Sequence, residues 1–182
     1  MIIFMGVAGS GKSLQGRRLA DELALPWLST GEFLRMLVSG ERRIAMVEGK
    51  LLGDQEIIAL VQKILHMIDT NEEFVLDGFP RTVTQADWLL SQIKHGQLKM
   101  TGVIHLVASE DTVTKRLLAR GRPDDSEPVI RTRFEEYEKT TKPIVRAFKD
   151  AGIAVYDIDS DQPPNKVYQA ILSALRRPVD AN

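Results

Sequence analysis

A chain of 182 residues, 43% of them apolar, has enough hydrophobic material for one globular core and too little length for several independent ones. Its formal net charge of −1 excludes a broad nucleic-acid surface, so any basic cluster must be local and serve its own anionic target. The absence of cysteine excludes a disulfide framework, thiol chemistry and Cys-ligated zinc; with no leader-like or long apolar segment, a cytoplasmic protein without a membrane partner is expected.

In chain order, Ile2-Ile3-Phe4 is a short apolar run that reads as a buried parallel strand. It leads into Gly6, Gly9, Ser10 and Gly11 and ends in Lys12 and Ser13, which fits the phosphate-loop pattern G-x-x-x-x-G-K-S without a gap. The three glycines let the backbone curl with its N–H groups inward, around phosphate oxygens. Lys12 supplies a point charge for the β- and γ-phosphates, and Ser13 a hydroxyl for Mg²⁺. A helix from about Lys12 to Leu23 follows, with its positive end toward the same phosphates and an apolar face of Leu14, Leu19, Ala20 and Leu23.

Pro26 ends the approach to a short strand at Trp27-Leu28, and Ser29-Thr30-Gly31-Glu32 reads as the start of the next helix. A small helical excursion is expected over Glu41–Leu52, between Gly40 and Gly53; Asp54 then reads as the cap of a longer helix through Ile68. Phe74-Val75-Leu76 is predicted as a central strand running into Asp77-Gly78-Phe79-Pro80-Arg81. An Asp at the end of such a strand can hold Mg²⁺ directly or through water. Helices at about Thr84–Ile93, Asp111–Ala119, Glu127–Asp150 and Asn165–Leu175 alternate with strands at Val103–Val107 and Ile153–Ile158. That alternation implies an α/β fold whose parallel sheet is wrapped by helices on both faces, with its ligand beyond the carboxyl ends of the strands.

The segment from Lys115 to Arg133 carries Arg116, Arg120, Arg122, Arg131 and Arg133. Arg116 and Arg120 are four apart and share a helix face, where like charges repel unless an anion lies between or above them. Beside a phosphate loop, this clustering points to a bound polyphosphate rather than to a solvated basic face. Phosphoryl transfer asks mainly for alignment and charge neutralisation, and an arginine at its transition state is worth ~10³ to 10⁵ in rate. An acceptor that is itself a phosphate is already ionised and needs no base; Arg35 and Arg81, each following a strand end, are placed to grip one in a fork. His66, His95 and His105 lack metal spacing and are expected to be packed or on the surface, and Trp27, Trp88 and the tyrosines to pack. Asp124 and Asp125 either pair with the nearby arginines or cap the next helix.

Four segments together resemble the adenylate kinases among the nucleoside monophosphate kinases, in that family's order and over nearly the whole chain. They are GVAGSGKS (Gly6 to Ser13), LSTGEFLR (Leu28 to Arg35), LDGFPRTVTQAD (Leu76 to Asp87), and RLLARGRPDD with the later Arg133. The first is generic to P-loop proteins, whereas DGFPRT followed by Gln85 is specific to this family. The resemblance implies a P-loop NTPase fold in three αβα layers around a five-stranded parallel sheet. It also implies one domain over residues 1–182, with a small helical AMP-binding insertion at about 30–53 and a very short lid at about 120–128. By the same resemblance, Gly9, Ser10, Gly11, Lys12, Ser13 and Arg116 hold ATP, while Thr30, Arg35, Gly78, Arg81 and Gln85 hold AMP. Lys12, Arg120, Arg122 and Arg133 surround the transferring group, and Asp77 with Ser13 holds Mg²⁺, partly through water. Thr30 and Gln85 favour adenine, because a carboxamide both donates to and accepts from its edge. The chain departs from the family at Ser13-Leu14, where Gly-Thr is usual, and in a short AMP-binding piece with Glu41-Arg42-Arg43 where a longer excursion is expected; its lid resembles the short-lid branch, without the longer insertion of some relatives.

The expected activity is therefore Mg²⁺-dependent phosphoryl transfer from ATP to AMP by a monomer, with no nucleic-acid partner. A kinase for another monophosphate (CMP, UMP, dAMP or several) is the nearest alternative. A nucleotide-binding regulatory module would not need three arginines around a moving phosphate, and a P-loop kinase of a small alcohol would not need DGFPRT and paired acceptor arginines.

Overall fold

The computed structural model describes residues 1–48 and 52–176. Its central strand is β1 (Ile2–Met5), buried throughout, as a parallel strand covered on both faces requires. β1 pairs in parallel with β3 (Val75–Asp77) on one side and β4 (Gly102–Val107) on the other. β2 (Trp27–Ser29) lies outside β3 and β5 (Val155–Asp159) outside β4, giving the order β2-β3-β1-β4-β5. The chain runs to one side of β1 and then crosses to the other, so the crevice at the carboxyl end of β1 is the switch point where open α/β sheets bind ligands.

Side chains of β1 alternate between two cores, Ile2 and Phe4 in one, Ile3 and Met5 in the other. On the first face α1 (Lys12–Glu22) and α9 (Pro164–Ala174) pack Leu19, Ala20, Val167 and Ile171 against Val75 and Ile104. On the second, α4 (Asp54–Leu65), α5 (Val83–Lys94) and α8 (Lys142–Asp150) pack Val61, Ile64, Leu89 and Phe148 against Leu76 and Val103. A small third cluster of Val7, Val113, Leu117 and Ile130 ties α6 (Glu110–Arg120) and α7 (Glu127–Glu136) to the loop after β1. Beside the carboxyl end of β2 lie α2 (Thr30–Leu37) and α3 (Gly40–Val47), the latter without a buried residue. The layers and the five-stranded parallel sheet are those expected. Among the described residues no helix is long and apolar enough to cross a membrane.

Several local expectations are corrected. Leu14 is 59% exposed, because the face of α1 against the sheet is carried by Gln15, Gly16, Leu19 and Ala20, and Leu14 lies to the side of that stripe. Gly53, not Asp54, takes the cap position of α4; Asp54 is the first helical residue and its carboxylate is committed to side chains of Thr82 and Gln85. That helix ends at Leu65, short of Ile68. Of the expected Glu41–Leu52 excursion, helix runs to Val47 and residues 49–51 lie outside the described residues. The single helix expected over Glu127–Asp150 is instead α7 and α8 joined by a π turn at Tyr137–Thr141. Pro143 accounts for the turn: it has no N–H to give, its ring would strike the carbonyl four residues back, and a widened turn relieves both.

Leu14 and Leu19 therefore predict opposite outcomes. Leu19→Ala removes a fully buried side chain and should cost ~2–5 kcal/mol, whereas Leu14→Thr should stay within ~0.5 kcal/mol. Denaturant unfolding of the two variants checks this.

Candidate active site

β1 ends in a loop that returns into α1 through Gly11, whose φ of +98° places it in the left-handed region at the cap. Gly9 has no side chain for a second reason, since a Cβ there would stand 2.9 Å from Leu117 Cγ and push α6 off the loop. Lys12 bends back over the loop, donating from Nζ to the Val7 carbonyl at 2.7 Å. Burial lowers its pKa to about 8, against the pull of Asp77 and with help from the charges of Arg81, Arg120 and Arg133. Ser10 differs from the expectation: its hydroxyl is buried beneath the loop without a hydrogen-bond partner among the described residues, and its N–H donates to Val7 O at 3.2 Å.

Asp77, at the end of β3, is 2% exposed and joins three elements. Its Oδ2 accepts from Ser13 Oγ at 2.6 Å and Ser29 Oγ at 3.1 Å, and its carbonyl accepts from Thr30 Oγ1 at 3.2 Å. Among the described residues no group of three or more His, Cys, Asp or Glu side chains could hold a metal. Ser13 and Asp77 offer one hydroxyl and one carboxylate, which suits an ion such as Mg²⁺ that keeps most of its waters and takes its other ligands from phosphates.

After Asp77 the chain turns at Gly78, with φ +81°, where a Cβ would lie 2.9 Å from Thr30 Oγ1 and 3.0 Å from Arg81 Nη2. Arg81 folds over this turn and donates from Nε to the Gly78 carbonyl at 2.8 Å. The π turn holds the same residue from behind, Thr141 Oγ1 donating to Arg81 O at 2.9 Å. Burial, then the neighbouring Arg133 and Arg35, lower the Arg81 pKa, and Asp77 opposes them. Arg35 pairs with Glu32 one helical turn earlier, and Glu32 also lies 3.8 Å from Arg122. The Gln85 carboxamide accepts from Arg81 N at 2.8 Å and donates to Asp54 Oδ1 at 2.9 Å.

The remaining arginines do not need a bound anion to share a helix face. Arg116 donates to the Ser160 carbonyl at 2.8 Å, and Arg120 grips Asp125 with two bonds of 2.8 and 2.6 Å. Arg133 pairs with Asp124 and lies 3.4 Å from Asp125, while Asp125 also accepts from Arg122 N at 3.1 Å. Both carboxylates are almost fully buried; burial pushes their pKa values up, but Arg133 on Asp124 and Arg120 on Asp125 outweigh it and hold both below the usual range. Asp124 and Asp125 thus pair with the arginines, and the cap position of α7 falls to Ser126.

These groups line one cavity of about 380 Å³. All the expected site residues reach its wall except Ser10. Seven cationic side chains line it against three carboxylates, in a chain of net charge −1. Leu34, Met46, Leu52 and Ile57 give its far end an apolar wall. Tyr137 and Thr141 were not anticipated here, because a π turn has no signal of its own in the helical pattern. Tyr137 bonds through its hydroxyl to His105 Nε2 at 2.5 Å, and His105 Nδ1 to Asp157 at 2.7 Å, so His105 is the packed histidine expected. Burial raises the Tyr137 pKa to about 12.

The family model for adenylate kinase matches residues 4–153. An adenylate kinase of Corynebacterium urealyticum is 35% identical over 180 residues, covering 96% of this chain and 98% of its own length. Adenylate kinase 1 of Synechocystis is 37% identical over 171 residues, 89% of each chain. An adenylate kinase of Oenococcus oeni is 34% identical over 178 residues, 93% of this chain and 94% of its own. With the phosphate loop, the DGFPRT turn and the arginine-lined crevice in one place, the chain belongs to the adenylate kinase family.

Proposed function

We propose that the chain transfers the γ-phosphoryl group of ATP to AMP, reversibly and with Mg²⁺, giving two ADP. As a member of its family it is a nucleoside monophosphate kinase, a phosphotransferase. The observation that carries the reading is the charge of the cavity, where seven cations face three carboxylates. A single monophosphate cannot balance that excess, whereas the triphosphate of ATP brought end to end with the phosphate of AMP can.

In this reading the amides of the loop around Gly9 and Gly11, with Lys12, Ser13 and Arg116, hold the donor; Ser10 supports the loop from beneath. Thr30, Arg35, Gly78, Arg81 and Gln85 hold the acceptor, its base toward the apolar wall. Arg120, Arg122 and Arg133 stand between the two. Because Asp124 and Asp125 already fix Arg120 and Arg133, those charges need no rearrangement as phosphoryl charge develops. Ser13 and Asp77 would hold hydrated Mg²⁺, which neutralises phosphate charge when bound. The insertion at 30–53 and the lid at 120–128 close over the substrates and keep water from competing with AMP. A cytoplasmic monomer is part of the same proposal.

Lys12→Ala should lower kcat at least ~10²-fold while leaving the fold intact, reasoning from lost charge stabilisation; steady-state assays with circular dichroism check both. Arg81→Ala should raise KM for AMP well above any change in KM for ATP, as separate substrate titrations will show. A third outcome concerns pH. Lys12 must be charged to meet a polyphosphate, so ATP should bind with uptake of about half a proton near pH 8 and more weakly above it. Calorimetry in buffers of different ionisation enthalpy measures the uptake, which Lys12→Met should remove. The sign for folding is opposite: without nucleotide the native state binds fewer protons than the unfolded one between about 8 and 10.5, so this group's contribution to stability rises with pH there.

A further inference from the structure

Asp54 sits at the first position of α4, outside the wall of the cavity, and was not expected to serve the site. Its Oδ1 accepts two side-chain bonds, from Thr82 Oγ1 at 2.6 Å and from Gln85 Nε2 at 2.9 Å. Thr82 in turn caps α5 by accepting from Gln85 N at 3.3 Å, so Asp54, Thr82 and Gln85 form a closed triangle between two helix starts.

The partners of Gln85 admit one orientation of its carboxamide. A carboxylate only accepts and a backbone N–H only donates, so Nε2 must face Asp54 and Oε1 must face Arg81 N. A half-turn about the last bond would set oxygen against oxygen and N–H against N–H. Gln85 is 2% exposed yet lines the cavity, so its orientation is fixed by these neighbours rather than by solvent. One N–H and one lone pair remain on the amide. Together they complement a purine carrying a 6-amino group, whose N6–H donates to Oε1 while a ring nitrogen accepts from Nε2. A 6-oxo purine presents an oxygen to Oε1 instead, and a site built to bond one pattern rejects the other strongly.

We propose that Asp54 is a positioning residue for specificity: by orienting Gln85 it makes the acceptor site accept 6-amino purine monophosphates and reject 6-oxo ones. The proposal rests on the reading above, in which Gln85 meets the acceptor base.

The test compares AMP with inosine monophosphate, which carries the 6-oxo group without the extra 2-amino bulk of guanine, in the full chain with ATP as donor. The unaltered chain should favour AMP in kcat/KM by ~10³ or more. In Asp54→Leu the side chain keeps nearly its size but offers Gln85 no acceptor, and the AMP preference should fall at least tenfold while KM for ATP stays unchanged; Asp54→Asn, whose Oδ1 still accepts from Thr82 and Gln85, should keep the preference. A merely structural Asp54 would lower both acceptors together, and an unchanged ratio in a folded Asp54→Leu overturns the proposal. Gln85→Leu separates the two levels of the argument. If it leaves the ratio unchanged, Gln85 does not read the base and the acceptor assignment itself fails; if it abolishes the ratio while Asp54→Leu does not, only the role of Asp54 fails. Should Asp54→Leu not fold, NMR of the unaltered chain decides: cross-peaks from the Gln85 Nε2 protons to Asp54 Hβ support the proposal, and cross-peaks to the Arg81 amide proton in their place overturn it.

Discussion

Like charges gathered in one crevice repel, and much of the architecture around this site answers that repulsion with fixed oxygen atoms. Arg120 and Arg133 share Asp125, and Arg133 takes Asp124 as well. Arg116 leans on a carbonyl of the segment after β5, Arg81 on the carbonyl of Gly78, and Arg35 on Glu32. These oxygens come from the ends of strands, the first turns of helices and the corner between α6 and α7, so the fold itself holds the cations at fixed spacing. They lessen the positive charge without cancelling it, and that residue of charge is what a polyphosphate meets.

The π turn shows how packing reaches the same site. One side of it fastens Arg81 through Thr141, and the other carries Tyr137, bonded to His105 on β4, which is bonded to Asp157 on β5. A widened turn that relieves a proline thus also connects the far edge of the sheet to the Arg81 end of the cavity. This break in α-helical geometry puts Tyr137 and Thr141 on the cavity wall.

Much of this was legible in the amino-acid order because it depends on local rules. The phosphate loop needs glycines at given intervals, and strands alternating with amphipathic helices leave few topologies, so the loop, the sheet and the crevice at its carboxyl end could all be read. What escaped depends on partners distant in sequence. Asp54 looked like a helix cap because caps are Asp-rich, yet its bonds go to residues 28 and 31 positions away. Leu14 looked like core because it is apolar, but only the fit of α1 on the sheet decides which stripe is buried. Ser10 lies inside the motif, and its burial follows from how the loop sits on the protein beneath. The pairing of Asp124 and Asp125 was one of two readings open until the corner between the helices was seen.

That corner is short. Only Gly121, at φ +65°, separates Arg120 from Arg122, and the two aspartates follow almost at once. In the covering role proposed for it, so short a corner, already bound to its own aspartates, would have little backbone entropy to surrender over a nucleotide, at ~1–2 kcal/mol for each residue fixed. A long flap must be frozen at every turnover and thawed before products leave. In the role proposed for it the corner would move nearly as a solid piece, and release of products would depend more on their charge than on the melting of a loop.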